Sequence, residues 1–178
     1  MYISVDIEAS GPIPCQYSML SLGSCVVMDT KTNFYVELKP INDNYDPEAL
    51  AISGLSIAKL QRFGKTPKKA MELFDRWLES IKGSKDLVFV GFNAPFDWQF
   101  VNWYFYTYLG KNPFGIKVLD IKAYYMGYVR SSWAETSSSK LPNWLHFSDK
   151  GKHNSLADAL RQAAIFESLI TRQEGINR

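Results

Sequence analysis

The sequence predicts a chain of the α+β or mixed α/β class, with helices packed on a sheet. Three observations predict it. Residues 2–8 alternate, with Ile3, Val5 and Ile7 on one side and Ser4, Asp6 and Glu8 on the other, the two-residue period of a strand. Met71, Phe74, Leu78 and Ile81 recur at helical spacing. Leu87 to Phe92 is a short, continuous apolar run, the pattern of a strand buried on both faces.

The remaining elements follow in order. Leu20, Leu22, Cys25, Val26, Val27 and Met28 fit a second strand over residues 19–28. Residues 29–33, Asp-Thr-Lys-Thr-Asn, carry a turn signal, and residues 34–38 a third strand that closes an antiparallel meander. A loop with Pro40, Asn42, Asp43, Asn44 and Pro47 comes next. Thr66 is placed to cap a helix, Pro67 fits its first position, and Gly83 ends it. Asn93-Ala94-Pro95 opens another helix running to Leu109 and Gly110. That helix is rich in aromatics, more than one core contact needs, so part of it is expected to pack on a partner. Val118 to Ile121 reads as a short strand and residues 122–128 as a helix. Residues 130–152, rich in Ser and Lys, read as a loop, and Ser155 to Arg172 as a clear helix. The order is three antiparallel strands, helix, strand, helix, strand and helices.

Composition narrows the class. A chain of 178 residues suits one domain, 1–178, with a substantial core. Hydrophobic residues make up 46% and charged residues 21%, which excludes a disordered chain. The net charge of +2 is too small to signal nucleic-acid binding by itself. Basic residues cluster locally, at Lys59, Arg62, Lys65, Lys68 and Lys69 and again at Lys140, Lys150 and Lys152. Either cluster is also what an ordinary solvated surface looks like. Cys15 and Cys25 have no metal-ligand spacing and read as free thiols. The N-terminus lacks the basic start of a signal peptide, and no apolar run reaches membrane-spanning length. A cytoplasmic protein with no membrane contact is expected.

Three segments carry candidate chemistry. Asp6 and Glu8 lie two apart on a strand and point to one face. Paired carboxylates are costly to bury without a positive partner, and a hard divalent cation suits their oxygens. An exposed strand edge would explain the same pair. Ala9-Ser10-Gly11 then makes an abrupt exit where amides can approach a ligand. Asn93-Ala94-Pro95-Phe96 leads to Asp97 in the first turn of a helix, where a carboxylate also complements the helix dipole. His153 precedes Ser155-Leu156-Ala157-Asp158, a spacing that matches a capping box as well as a site. A lone histidine in a polar loop is commonly just solvated; His146 has no better setting. Together, three separated segments each deliver a carboxylate at the end of an element, and one adds a base of suitable ordinary pKa.

In these three segments the chain resembles the DEDDh, or DnaQ-like, group of 3′–5′ exonucleases. That group includes ribonuclease T, oligoribonuclease and the proofreading subunit of bacterial DNA polymerase III. Asp6-x-Glu8, the segment Asn93 to Asp97, and His153-x4-Asp158 match the three motifs in order and spacing, over about residues 1 to 170. Ser10 stands where many members have Thr, Phe92 where many have His, and Ser53 in Ile52-Ser53-Gly54-Leu55-Ser56 where His is common.

The resemblance implies a ribonuclease H-like fold, a central mixed five-stranded sheet flanked by helices. It implies two divalent ions, Mg²⁺ or Mn²⁺, held by Asp6, Glu8, Asp97 and Asp158, with His153 as general base. It implies single-stranded DNA or RNA 3′ ends as substrates and nucleoside 5′-monophosphates as products. Ala9, Ser10, Gly11 and Asn93 would meet the terminal nucleotide, and Phe92 and Phe96 would stack on bases. An enzyme for very short RNA, a non-catalytic nucleic-acid-binding module of the same fold, and a structural protein with incidental acids are the competing readings. A homodimer or docking to a polymerase is the implied assembly.

Overall fold

The computed structural model describes residues 1–145 and 154–176, the last four of these as backbone alone. Five strands form one sheet: β1 (Tyr2–Ala9), β2 (Met19–Val26), β3 (Asp29–Glu37), β4 (Val88–Gly91) and β5 (Val118–Asp120). Their order is β3-β2-β1-β4-β5. β1 pairs antiparallel with β2, and β2 with β3. β4 runs parallel to β1, and β5 parallel to β4. This is the mixed sheet with three antiparallel strands first. The helices are α1 (Pro47–Ser53), α2 (Ile57–Phe63), α3 (Pro67–Lys82), α4 (Pro95–Leu109), α5 (Ile121–Val129) and α6 (Ser155–Ile176).

The alternation of β1 sorts the molecule into two layers of core. Ile3, Val5 and Ile7 pack with Phe74 and Leu78 of α3 and with Phe100, Val101, Tyr104 and Phe105 of α4. On the other face, Cys25 and Val90 pack with Ile121 and Tyr125 of α5 and with Ala163, Phe166 and Leu169 of α6. The α6 face of the sheet is built from small residues. Ser4 Oγ donates to Ala159 O at 2.7 Å, and Ser21 Oγ pairs with Ser155 Oγ at 2.9 Å. A Cβ on Gly23 would lie 2.2 Å from Leu156 N. The first turn of α6 therefore sits directly on β2, beside Asp6, which is the register partner of Gly23.

Local signals explain most boundaries. α3 spans Thr66's cap to Gly83 as expected, with Thr66 Oγ1 accepting from Lys69 N. The meander differs from expectation. Its turn is Val27–Met28, with Met28 at φ 74°, and β3 already begins at Asp29. The polar residues 29–33 form a register shift instead of a turn. Asn33 Nδ2 donates to Thr30 O and Lys31 O, and Thr32 Oγ1 donates to Asp29 Oδ2.

Two short helices stand where only a loop was expected. Asp46 caps α1 by accepting from Glu48 N, and Ser56 caps α2 by accepting from Lys59 N. The described part of the Ser- and Lys-rich stretch is not a plain loop either. It holds three 3-10 turns (Trp133–Glu135, Ser138–Lys140 and Asn143–Leu145), and Leu141 and Leu145 are buried against α5 and α6. The aromatics of α4 are mostly consumed within the chain. Phe96, Trp98, Trp103 and Tyr108 pack against the core and only Tyr106 is more than half exposed. Cys15 is exposed, Cys25 is buried, and both are free thiols. No described helix is long and apolar enough to cross a membrane.

Candidate active site

β1, α4 and α6 bring the predicted carboxylates to one place. Asp6 and Glu8 stand on the α6 face of β1, at its C-terminal half. Asp97 enters from the first turn of α4 and is 4% exposed. Its Oδ1 accepts from Ile7 N at 3.0 Å, so α4 is tied to the strand between Asp6 and Glu8. Asp158 enters from the first turn of α6. Carboxylate oxygens of Asp6, Glu8 and Asp158 all lie within 4.8 Å of one another. All four acids line a cavity of about 430 Å³, together with Ile7, Phe92, Asn93, Phe96, Ser138, Arg161 and Gln162.

The capping-box reading of Asp158 does not hold. α6 starts at Ser155, and Asn154 is its cap: Asn154 Oδ1 accepts from Ala157 N at 3.2 Å. Ser155, one residue too late to cap, is already paired with Ser21. Asp158 instead pairs with Arg161, whose Nη2 lies 3.0 Å from Asp158 Oδ1.

Crowding and burial set the electrostatics. Burial, with Asp97, Asp158 and Glu8 nearby, holds the Asp6 carboxyl well above its ordinary value, and a hydrogen bond from Gln162 Nε2 to Asp6 Oδ1 opposes this. Burial and the charge of Asp158 push Glu8 up from 4.5 to about 7. Burial pushes Asp97 from 3.8 up to about 8, against the hydrogen bonds that its carboxylate accepts from the Ile7 amide and its own. Removing these acids' charge by protonation is one answer to the crowding; a cation is the other. The donor set fits a hard divalent ion, because every candidate ligand is a carboxylate oxygen.

The other expected residues divide. Phe92 and Phe96 are half-buried in the cavity wall, and Asn93 is exposed there at φ 68°. β1 ends at Ala9, so Ser10 lies just past the strand that carries Asp6 and Glu8, and the register shift beside Glu8 leaves its extra residue, Leu20, on β2. Ser10 Oγ donates to Asn44 O and accepts from Ser18 N, each at 2.9 Å. Gly11 lies under the ring of Tyr17, where a Cβ would be 2.2 Å away. Ala9, Ser10 and Gly11 are all buried and do not line the cavity. The Ile52–Ser56 segment is the link between α1 and α2, with Gly54 at φ 63°. His153 and His146, with Lys150 and Lys152, lie outside the described residues.

Sequence reading missed Gln162, Arg161 and Ser138. Gln162 carried a usable signal, because four residues after Asp158 places it on the same face of α6. Ser138 carried none, since its approach depends on the turns of residues 133–145.

Known proteins share the sequence and the fold of this chain. The RNase_T family, described as exonuclease, matches residues 3–166. The 3′–5′ DNA exonuclease Cap18 of Escherichia coli is 47% identical over 167 residues, covering 93% of this chain and 89% of that protein. The nuclease domain of 3′hExo, a DEDDh family member solved bound to rAMP, superposes with a TM-score of 0.80 at 16% identity, over 98% of this chain and 92% of that one. Escherichia coli Exonuclease I in complex with a dA16 oligonucleotide gives a TM-score of 0.71 at 17% identity, over 98% of this chain but 42% of that larger one. At such identities the two structures speak for the fold; the family match and the 47% relative speak for the activity. The chain belongs to the RNase_T family of exonucleases, as a 3′–5′ exonuclease whose fold is that of a DEDDh nuclease.

Proposed function

We propose that the chain, acting as one domain over residues 1–178, removes nucleotides from the 3′ end of DNA and releases nucleoside 5′-monophosphates. The observation that carries this reading is the meeting of Asp6, Glu8, Asp97 and Asp158 at one open cavity with aromatic walls. DNA is favoured over RNA because the 47% identical relative is a DNA exonuclease.

Asp6, Glu8 and Asp158 are the residues to hold divalent metal, with Asp97 supporting the same site from α4. Two ions, Mg²⁺ or Mn²⁺, would supply charge stabilisation for the attacking and leaving oxygens of the displacement. The protein's own part is positioning and proton transfer. Phe92 and Phe96 offer faces on which terminal bases stack without regard to sequence. Asn93, exposed at the rim, offers an amide to the terminal nucleotide. His153 serves as general base, its ring nitrogen taking a proton from the attacking water. As the water oxygen bonds to phosphorus, the bond from phosphorus to the 3′-oxygen of the shortened strand breaks, and that oxygen takes up a proton.

The test is degradation of matched single- and double-stranded DNA and RNA, with and without Mn²⁺. Mn²⁺-dependent shortening of DNA from the 3′ end, lost in Asp6→Ala and Asp158→Ala, is the expected result. Undiminished activity in both variants would sink the assignment. Faster loss of RNA would move the substrate class, and products of two- to five-nucleotide RNA would separate a short-RNA enzyme. Oligonucleotide binding without metal binding would favour a non-catalytic module.

A further inference from the structure

We infer that Gln162 is a positioning residue that fixes the carboxylate of Asp6 and locks the wall of the cavity to its floor; this rests on the reading of Asp6 as a metal-binding acid. Gln162 is 3% exposed and stands one helical turn beyond Asp158. Its side chain is engaged at both ends. Phe92 N donates to Gln162 Oε1 at 3.0 Å, and Gln162 Nε2 donates to Asp6 Oδ1.

The two bonds determine each other. An amide N–H can only donate, so the Phe92 bond identifies the near atom of Gln162 as its oxygen. The nitrogen must then face Asp6, where a carboxylate accepts it. One oxygen of Asp6 is thereby held in place and the plane of the carboxylate is set. Oδ2 and the remaining lone pair of Oδ1 are left for other partners.

The residue type suits the task. A Lys or Arg at this position would bring a permanent positive charge to the acids and compete with a divalent ion. A Glu would add another negative charge to a crowded cluster. Glutamine supplies one donor to the carboxylate and one acceptor to the backbone, at the reach both partners need, without changing the charge of the site. It also couples Phe92, on the β4–α4 connection, to Asp6 on β1, so the stacking wall and the acids keep one spacing.

The test uses the full chain and Mn²⁺ as probe. Gln162→Met keeps the volume and loses both hydrogen bonds; Gln162→Asn keeps the amide but is one methylene too short to span both partners. Mn²⁺ binding is measured calorimetrically without nucleic acid, beside the melting temperature of the metal-free protein and kcat and KM on an oligonucleotide. Hydrogen-bond partners of metal ligands typically matter by 10- to 100-fold, so both variants are expected to bind Mn²⁺ about tenfold more weakly. At saturating Mn²⁺, kcat should recover most of the parent value, which a misfolded site would not do. A lower melting temperature with unchanged Mn²⁺ affinity would overturn the inference, leaving Gln162 a merely structural residue. Should Gln162→Met not fold, Gln162→Asn carries the same comparison. Failure of the underlying reading looks different: the parent and Asp6→Ala would then bind Mn²⁺ alike.

Discussion

The amide of Ile7 donates to Asp97 Oδ1 at 3.0 Å, so the acid on α4 is held by the backbone of the strand that carries Asp6 and Glu8. Asp97 therefore has two tasks, one in the fold and one in the site, and two substitutions separate them. Asp97→Asn keeps an acceptor for the Ile7 amide. Asp97→Ala leaves that buried N–H without one, a loss of about 1–3 kcal/mol. Chemical denaturation is expected to show Asp97→Asn near the parent in stability and Asp97→Ala below it. Exonuclease activity should fall steeply in both.

The raised carboxyls make the metal-free protein sensitive to alkali. Glu8 and Asp97, with ordinary values of 4.5 and 3.8, titrate in the fold at about 7 and 8. Each binds its proton more tightly folded than unfolded. Their contribution to stability is thus complete below the ordinary values and is lost as pH rises through about 7 and 8. Between pH 5 and 9, melting of the metal-free protein is expected to show this loss. Added Mg²⁺ or Mn²⁺ binds only the deprotonated site, so its stabilising effect should grow over the same range. A metal effect equal at both ends of the range would show that these acids do not hold the ion.

Much of the architecture was legible because its signals are local. Thr66, Pro67 and Gly83 mark α3 at both ends, and the two-residue period of β1 separates the core side from the acidic side. α1 and α2 escaped notice because seven residues give too little periodicity, although Asp46 and Ser56 are ordinary caps. Residues 29–33 were misplaced as a turn because polar side chains that satisfy one another locally look alike in a turn and in a bulge. The site was legible as acids and not as contacts. Asp6, Glu8, Asp97 and Asp158 stand in a recognisable spacing, whereas the place of Gln162 depends on where α6 crosses β1. Ser10 reads as a ligand group from the abrupt exit after Glu8 and from the family resemblance, whereas its bonds to Asn44 and Ser18 depend on loops that meet only in the fold.

Ser10→Ala tests that last point. The hydroxyl makes two hydrogen bonds, a part-buried one to Asn44 O and a buried one from Ser18 N. Its loss should lower stability by about 1–3 kcal/mol. Well below the melting temperature, KM and kcat should stay within about twofold of the parent, because no transition-state contact is removed. A large rise in KM would return Ser10 to the substrate.

Gly23 decides how closely α6 approaches the sheet. A Cβ there would stand 2.2 Å from both Leu156 N and the carbonyl carbon of Ser155, and these are backbone atoms that cannot swing aside. Gly23→Ala must therefore push the first turn of α6 outward, at a cost of about 1–3 kcal/mol or more. Asp158 lies two residues beyond Leu156, so the same displacement should widen its spacing from Asp6 and Glu8. Expected results are a lower melting temperature, weaker Mn²⁺ binding and a loss of exonuclease rate that persists at temperatures where the variant is fully folded. Gly127→Ala is the matched control. Gly127 lies inside α5 with open space where its Cβ would go, so alanine there should be neutral or stabilising by about 0.5–1 kcal/mol. If the two variants keep equal rates, the close seat of α6 on β2 is not what positions Asp158.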